Sequence, residues 1–499
     1  MRPVHWLCLL LCLGACSGEP KPKPVPDSAT VISDADATLP DADFWRHHLD
    51  NDLMRYWKES GQVTAAGQFF PTFICLDGKP YIAGDPCPAF VSAGEWIREN
   101  LQRTFVRMHS RQTFAYGVAY HMTGDEAYLV LMKQGVDVLL QTARDAQNGG
   151  FVSVLEGGEP VYEPLQRTTQ DLAYAQLGLA FYYYLTRDAE VLTHLIAVKD
   201  HIFQHYWDSD WGMLRWVVAD SPSHSSGSRE LVAQLDQVNG YMLLVLPTLE
   251  GQLRLAWERD LRRVMGAMLQ HFHNPDEHRF YGVIDTPDEM VPWGRHGDYG
   301  HTIKAYWMLR QVGLRLGEQS WVGLAEKGIE VVLEKAYIPP GGQLPGRWRE
   351  GVRRGGEPGD SASWWAYAEL NQAAATLSLV NPSYAGQLVE TYAFWHRYLV
   401  DPQQGGVFHA TNGNGEPWRM KAHHWKNAYH ETEHALVAMI TGEAYASRPL
   451  ALYFAFAETP PDALITPYFF SGEIQSKETS ALNHLPSLSR TKITFKNLR

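Results

Sequence analysis

The feature that most constrains this chain is a sixfold internal repeat. Six segments share one look: a helix rich in aromatic and small residues, a turn, and a second helix. The first starts near His109 (HSRQTFAYGVAYHMTGDEAYLVLMKQGVDVLL) and the second near Thr169 (TQDLAYAQLGLAFYYYLTRDAEVLTHLIAVKDHI). The third begins near Gln237, the fourth at Tyr299 and the fifth at Ser363; the sixth, cut short, starts near Tyr429. Their starts lie about 60 to 68 residues apart. That period exceeds the common helical repeats of about 34 residues because short non-helical inserts separate the hairpins.

The first helix of each pair is apolar nearly all round and is expected to be buried. The second alternates apolar with charged residues at helical spacing, as in LRLAWERDLRRVMGAML from Leu253. The inserts read NGGFVSV at Asn148, DWGMLRW at Asp210, HRFYGVI at His278 and QQGGVFHA at Gln403. Each is a turn followed by a β-prone run, the mark of a small hairpin. Six inner helices ringed by six outer ones make an all-α fold, an (α/α)6 barrel over residues 41–447, with β inserts at the end where loops carry function. Asp41 to Trp57 is amphipathic and begins the first outer helix. Residues 448–499 are aromatic and Pro-broken, a packed C-terminal extension whose last residues (LSRTKITFKNLR) pair as an edge strand or stay loose.

The N-terminus reads as an export signal. Arg2 precedes an apolar run, Trp6 to Leu13, that is too short to span a bilayer. It closes on Leu13-Gly14-Ala15-Cys16, which resembles the bacterial lipobox. The resemblance implies that residues 1–16 are a lipoprotein signal and that Cys16 is acylated, anchoring the protein to a membrane of the cell envelope. Residues 17–40, rich in Pro, Lys, Asp and Ala, form a flexible tether. Once Cys8 and Cys12 leave with the signal, Cys75 and Cys87 remain in a Gly/Pro-rich loop, and an oxidising compartment favours a disulfide between them. A formal charge of −13 argues against nucleic-acid partners. Seventeen tryptophans exceed what such a core needs and lean towards a carbohydrate ligand.

With these motifs in place, residues 41–447 resemble the N-acylglucosamine 2-epimerase superfamily, which includes cellobiose and mannose 2-epimerases and ketose–aldose isomerases. The resemblance rests on Arg111 in HSRQ, Tyr174 in LAYAQLGLAF, Asn239 in QVNGYM, His301 and Trp307 in YGHTIKAYW, Trp365 and Glu369 in WWAYAE, and Trp425 and His430 in WKNAYH. It implies a sugar 2-epimerase or isomerase acting on a reducing mono- or oligosaccharide, with no metal and no organic cofactor. Its catalytic residues are then His301, His430 and Arg111. Histidine is a base near neutral pH that can take the C2 proton of an open-chain aldose. A second histidine on the opposite face returns a proton, and Arg111 steadies charge on the carbonyl oxygen. Tyr174, Asn239, Trp307, Trp365, Glu369 and Trp425 are implied substrate contacts.

Three positions depart from the family pattern. Lys304 and Leu243 stand where the family carries glutamate and histidine, and Glu433 stands where it tends to carry arginine. Lys304 and Glu433 together read as a charge swap, one salt bridge replacing another of reversed sense. Two other functions share this barrel. A glycoside hydrolase or lyase would need paired carboxylates, with Glu369 and either Asp298 or Asp360 as candidates. The other is a sugar-binding lipoprotein without catalysis. His423 and His424, adjacent on a helix, would diverge and hold no metal. One of Trp364 and Trp365 should face the site, since successive helical positions diverge by about 100°.

Overall fold

The computed structural model describes residues 38–60, 67–161, 167–220, 225–286, 289–290, 295–351 and 359–499. Cys16, the signal segment and most of the tether lie outside the described residues. Twelve helical segments alternate between an outer and an inner ring. The outer ones are α1 (Ala42–His47, continuing through His48–Leu53 to Met54–Ser60), α3 (Glu126–Thr142), α5 (Ala189–His205), α7 (Gly251–Ala267, then Met268–Phe272), α9 (Gln319–Ala336) and α11 (Tyr384–Phe394, then Trp395–Leu399). The inner ones are α2 (Val106–Thr123), α4 (Thr169–Thr186), α6 (Leu231–Gln237, Val238–Met242 and Leu243–Val245), α8 (Tyr299–Leu316), α10 (Trp364–Ser378) and α12 (Tyr429–Tyr445).

Burial sorts the two rings as their composition demands. Every residue of α4 is buried, whereas α5 buries one stripe, Val191, Leu195, Val198, Lys199 and Ile202. Small residues bring the inner helices together. A Cβ on Gly178 of α4 would sit 2.7 Å from the Ser110 carbonyl of α2, so that crossing requires glycine. The sixth hairpin lacks a sequential outer helix, and α1 fills the place. Its Trp57 indole donates to Glu431 of α12 at 3.2 Å, and the Ala42 amide donates to Glu443 at 2.6 Å. Packing of α12 against α2 closes the ring.

Inner-to-outer connections are tight. The turn after α2 places Gly124 in the left-handed region, and Asp125 caps α3. The long outer-to-inner connections carry the β inserts, such as Trp207–Asp208 paired with Met213–Leu214 and His273–Asn274 with Arg279–Phe280. All inserts and all inner N-termini therefore gather at one end, the mouth. The α1–α2 connection is closed by a Cys75–Cys87 disulfide.

The opposite end is floored by the extension. Leu450–Phe456 pairs with Ser489–Lys496, which also pairs with Glu473–Ala481. The last strand is thus central rather than an edge or a loose end. Its alternating buried residues, Thr491, Ile493 and Phe495, point to one face of the sheet, and Ile493 and Phe495 join the barrel core there. Hydrogen bonds lock the extension to the barrel: Tyr120 donates to Phe454 O of the sheet at 2.8 Å, and Tyr184 donates to Thr466 O, between two strands, at 2.6 Å. Trp307, expected to meet substrate, belongs to this packing. It is fully buried, donates to Thr376 at 3.0 Å and lies against Phe469 of the floor. Two turns separate it from His301 at the mouth end of α8, so it is a core residue. Among the described residues no helix is long and apolar enough to cross a membrane.

If the extension folds as one unit with the barrel, Phe454→Ala, which empties a fully buried site, should cost about 3–5 kcal/mol. Chemical denaturation should show one cooperative transition moved to lower denaturant. A loss below about 1 kcal/mol would mean that the sheet is not part of the barrel's cooperative core.

Candidate active site

The site grows from the N-terminal turns of all six inner helices. Asp298 caps α8, accepting from the His301 amide at 2.9 Å, and its other oxygen meets His301 Nδ1 at 2.7 Å. The cap therefore also orients the imidazole. His430, in the first turn of α12, has Nδ1 3.1 Å from Glu369 Oε1 of α10. Trp365 stands between the two imidazoles, with ring centroids 4.5 Å from His301 and 6.0 Å from His430. Trp364 points away and is buried against His409. With each Nδ1 turned to a carboxylate, both histidines are left to present Nε2. Burial pushes His430 down to about 3, so it rests as a neutral base.

Beneath the histidines a buried polar chain crosses the barrel. Lys304 Nζ lies 3.1 Å from Glu369 Oε1 and donates to the Tyr429 hydroxyl at 3.4 Å. The Asn239 amide, turned so that its nitrogen faces Leu235 O and Asp236 Oδ1 at 3.0 Å each, accepts from Tyr429 at 3.2 Å. Asp236 also accepts from Tyr174 at 2.9 Å and from Gln170 at 2.8 Å. Arg111 stacks 3.8 Å above the Tyr174 ring and donates to Trp425 O at 3.3 Å, leaving Nε without a hydrogen-bond partner among the described residues. Arg107 stacks 3.4 Å from the Trp425 ring and pairs with Asp171 at 2.9 Å. Burial opposes the charge on both Lys304 and Glu369. Their mutual attraction outweighs it, holding the lysine well above and the carboxyl below their ordinary values.

The family profile for N-acylglucosamine 2-epimerase (GlcNAc 2-epimerase) matches residues 91–433. The chain belongs to the N-acylglucosamine 2-epimerase family. A cellobiose 2-epimerase of Bacteroides fragilis is 22% identical over 350 residues, 65% of this chain and 84% of that protein. The solved cellobiose 2-epimerase from Bacillus thermoamylovorans B4167 superposes with a TM-score of 0.67 at 13% identity, covering 80% of this chain and 98% of that one. A D-mannose isomerase structure gives a TM-score of 0.65 at 18% identity, with 80% and 97% coverage.

Of the residues that the family resemblance singled out, the fold brings Arg111, Tyr174, Asn239, His301, Trp365, Glu369, Trp425 and His430 to one end of the barrel. Glu369 is fully buried beneath His430 and holds that histidine and Lys304. The expected charge swap is not the one observed. Lys304 pairs with Glu369, while Glu433 accepts from Tyr468 of the extension at 2.6 Å. Burial and the neighbouring Glu369 charge raise Glu433 to about 7. Leu243 is buried in the core. His423 and His424 lie in a bridged turn, not on a helix, and His423 contacts His409 at 2.9 Å. Asp236, Tyr429 and Tyr468 escaped the sequence reading. Tyr429 directly precedes His430, and Asp236 lies three residues before Asn239. Tyr468 has no neighbouring motif.

Lys304→Met leaves the Glu369 charge buried without its cation and should cost about 3–5 kcal/mol. Adding Glu369→Gln should restore most of that in denaturant titrations; a double variant no more stable than the single one would show that the pair is not coupled. Glu433 offers a second test. Its folded value lies above the ordinary 4.5, at about 7, so the folded state holds the extra proton between these limits. Its contribution to stability should fall as pH rises through that window. The buried histidines, such as His430, have depressed values and contribute the opposite slope, so the test is the difference between wild type and Glu433→Gln. That difference should change between pH 4.5 and 7 and be flat if Glu433 ionises normally.

Proposed function

We propose that this protein is a sugar 2-epimerase or aldose–ketose isomerase acting on the reducing unit of a mono- or oligosaccharide. One observation carries the reading: two histidine–carboxylate pairs, His301–Asp298 and His430–Glu369, flank a single indole, Trp365. A sugar lying on that indole would have a basic nitrogen on either side. One Nε2 takes the C2 proton of the open-chain aldose, and the electron pair moves into a C1–C2 enediolate. Arg111 supplies fixed positive charge for the oxygen that becomes anionic. A proton returned to C2 by the other histidine gives the epimer; a proton returned to C1, with the O2 proton passing to O1, gives the ketose. The names of the family relatives support the same chemistry. The hydrolase alternative is weaker, because Asp298 and Glu369 are both engaged with histidines.

The test is proton exchange in D2O with a panel of reducing sugars, followed at C2–H by NMR on protein lacking its first 16 residues. Deuterium should enter C2, and His301→Ala and His430→Ala should each lower the rate by about 10²–10⁴-fold. Asp298→Asn should also slow exchange, because the amide no longer enforces the Nδ1–H tautomer of His301. Unchanged rates in both histidine variants would refute the mechanism. Absence of exchange with every sugar, alongside ligand-induced changes in tryptophan fluorescence, would instead establish a binding protein.

The same proposal places the protein at the bacterial cell envelope, tethered through acylated Cys16. The lipobox-like Leu13-Gly14-Ala15-Cys16 supports this. Mass spectrometry of the mature N-terminus should find a lipid-modified cysteine in wild type and none after Cys16→Ser.

A further inference from the structure

Among the described residues three tryptophans are unusually exposed, Trp96 at 42%, Trp418 at 42% and Trp425 at 37%, and all three lie on one part of the mouth. They are joined by a cluster of imidazoles. Trp418 packs on His409 with ring centroids 3.9 Å apart, His409 meets His423 at 5.0 Å, and His423 meets Trp96 at 5.2 Å. Trp96 also touches His424, which adjoins Trp425 at 5.9 Å.

The cluster is built firmly. Trp425 N–H donates to His423 Nδ1 at 3.2 Å, which leaves the proton on Nε2 to be donated to His409 Nδ1 at 2.9 Å. Trp418 is held in a strand paired with Ala410. Trp96 sits on the helical turn Glu95–Arg98, whose Ile97 is buried, in the α1–α2 connection beyond the loop that the Cys75–Cys87 disulfide closes. Indoles fixed in this way stay exposed without collapsing on one another, and such patches mark binding surfaces. An indole offers an apolar face to the C–H face of a pyranose ring, with polar groups at its edge for hydroxyls. Trp425 connects the cluster to the catalytic residues, since its carbonyl accepts from Arg111 at 3.3 Å.

We propose that Trp96 and Trp418 form an outer platform, continuous with Trp425, for the units of a reducing oligosaccharide beyond its first two. This rests on the sugar-site reading above, and it makes the preferred ligand longer than a disaccharide. The platform comes from two connections, the segment before α2 and the segment before α12, so it is an addition at the rim rather than part of the barrel wall.

The test is calorimetric binding of cellobiose and cellotetraose, and of mannobiose and mannotetraose, to the mature-length protein with His301→Ala to prevent turnover. In at least one series the tetrasaccharide should bind about tenfold more tightly than the disaccharide. Trp96→Ala and Trp418→Ala should each remove most of that gain while leaving disaccharide affinity within about twofold, which also reports that the site remains folded. Disaccharide binding without a gain for length in either series would overturn the platform and leave the sugar site standing. No binding of any of the four sugars would overturn both. A length gain that survives the Trp96→Ala/Trp418→Ala double variant would place the extra contacts elsewhere. Binding of the protein to phosphatidylglycerol vesicles that both substitutions abolish, with no length gain, would make the exposed indoles a lipid contact and refute the proposal.

Discussion

Lys304 carries its charge in a place where water does not reach, and much of the site is arranged around that fact. An ammonium group buried on an inner helix is destabilising unless an anion and further polar groups meet it. Glu369 supplies the anion, and Tyr429 begins the hydrogen-bonded chain that runs on through Asn239 to Asp236, Tyr174 and Gln170. These residues come from α4, α6, α8, α10 and α12, so the network spans most of the inner ring. It sets the helices in register, which fixes where the first-turn residues stand. His430 inherits its orientation directly, because the carboxylate beside its Nδ1 is the one beside Lys304. Changing the cation therefore alters the base as well as the fold.

The two ends of the barrel divide the physical work. The mouth exposes charged and aromatic groups in long connections, whereas the floor is aromatic and closed by the C-terminal sheet. Tyr468 ties the two together. It holds a positive φ of 58°, unusual for a bulky residue, yet it is buried and hydrogen-bonded at both ends. Its amide donates to Tyr184 at 2.9 Å and its hydroxyl donates to Glu433. A strained backbone persists when surrounding contacts over-determine it, and here those contacts reach the carboxylate next to Glu369. Residues 91–433 match the family profile; the extension lies after that segment but adds Tyr468 to the polar layer around Glu433.

The barrel was legible because its signal is repeated six times and each repeat shows the same contrast between an all-apolar and a one-sided helix. The place of α1 as an outer helix followed from its amphipathic pattern. The floor was harder to read. Its strands pair across long sequence separations, and neither Pro-broken aromatic runs nor a polar terminal segment specifies strand order. At the site, histidines, arginine and tryptophans could be picked out because their residue types are chemically distinctive. The partners that hold them could not. The pairing of Lys304 with Glu369 instead of Glu433 depends on which helices are neighbours at one level of the barrel, and α8 packs beside α10. Trp307 was misplaced for a related reason: its spacing from His301 puts it two turns deeper, where the ring meets core.

The fold alone does not decide between epimer and ketose, but the unequal exposure of the two histidines bears on it. His301 keeps 15% of its side chain accessible, while His430 is almost sealed at 7%. A base open to water exchanges its captured proton with solvent during the lifetime of the enediolate; a sealed base hands back the same proton. Epimerisation requires delivery from the face opposite to abstraction, so it consumes a proton that the second histidine already held. Isomerisation can use the captured proton on one face. Under the proposed mechanism His430, neutral and with Nδ1 turned to Glu369, is placed to take the C2 proton and to return that same proton to C1, whereas delivery by His430 after abstraction by His301 would first need a proton on its Nε2. The configuration of the sugar at C2 decides which histidine faces the proton, so under this proposal the histidine that must arrive protonated differs between the two C2 epimers.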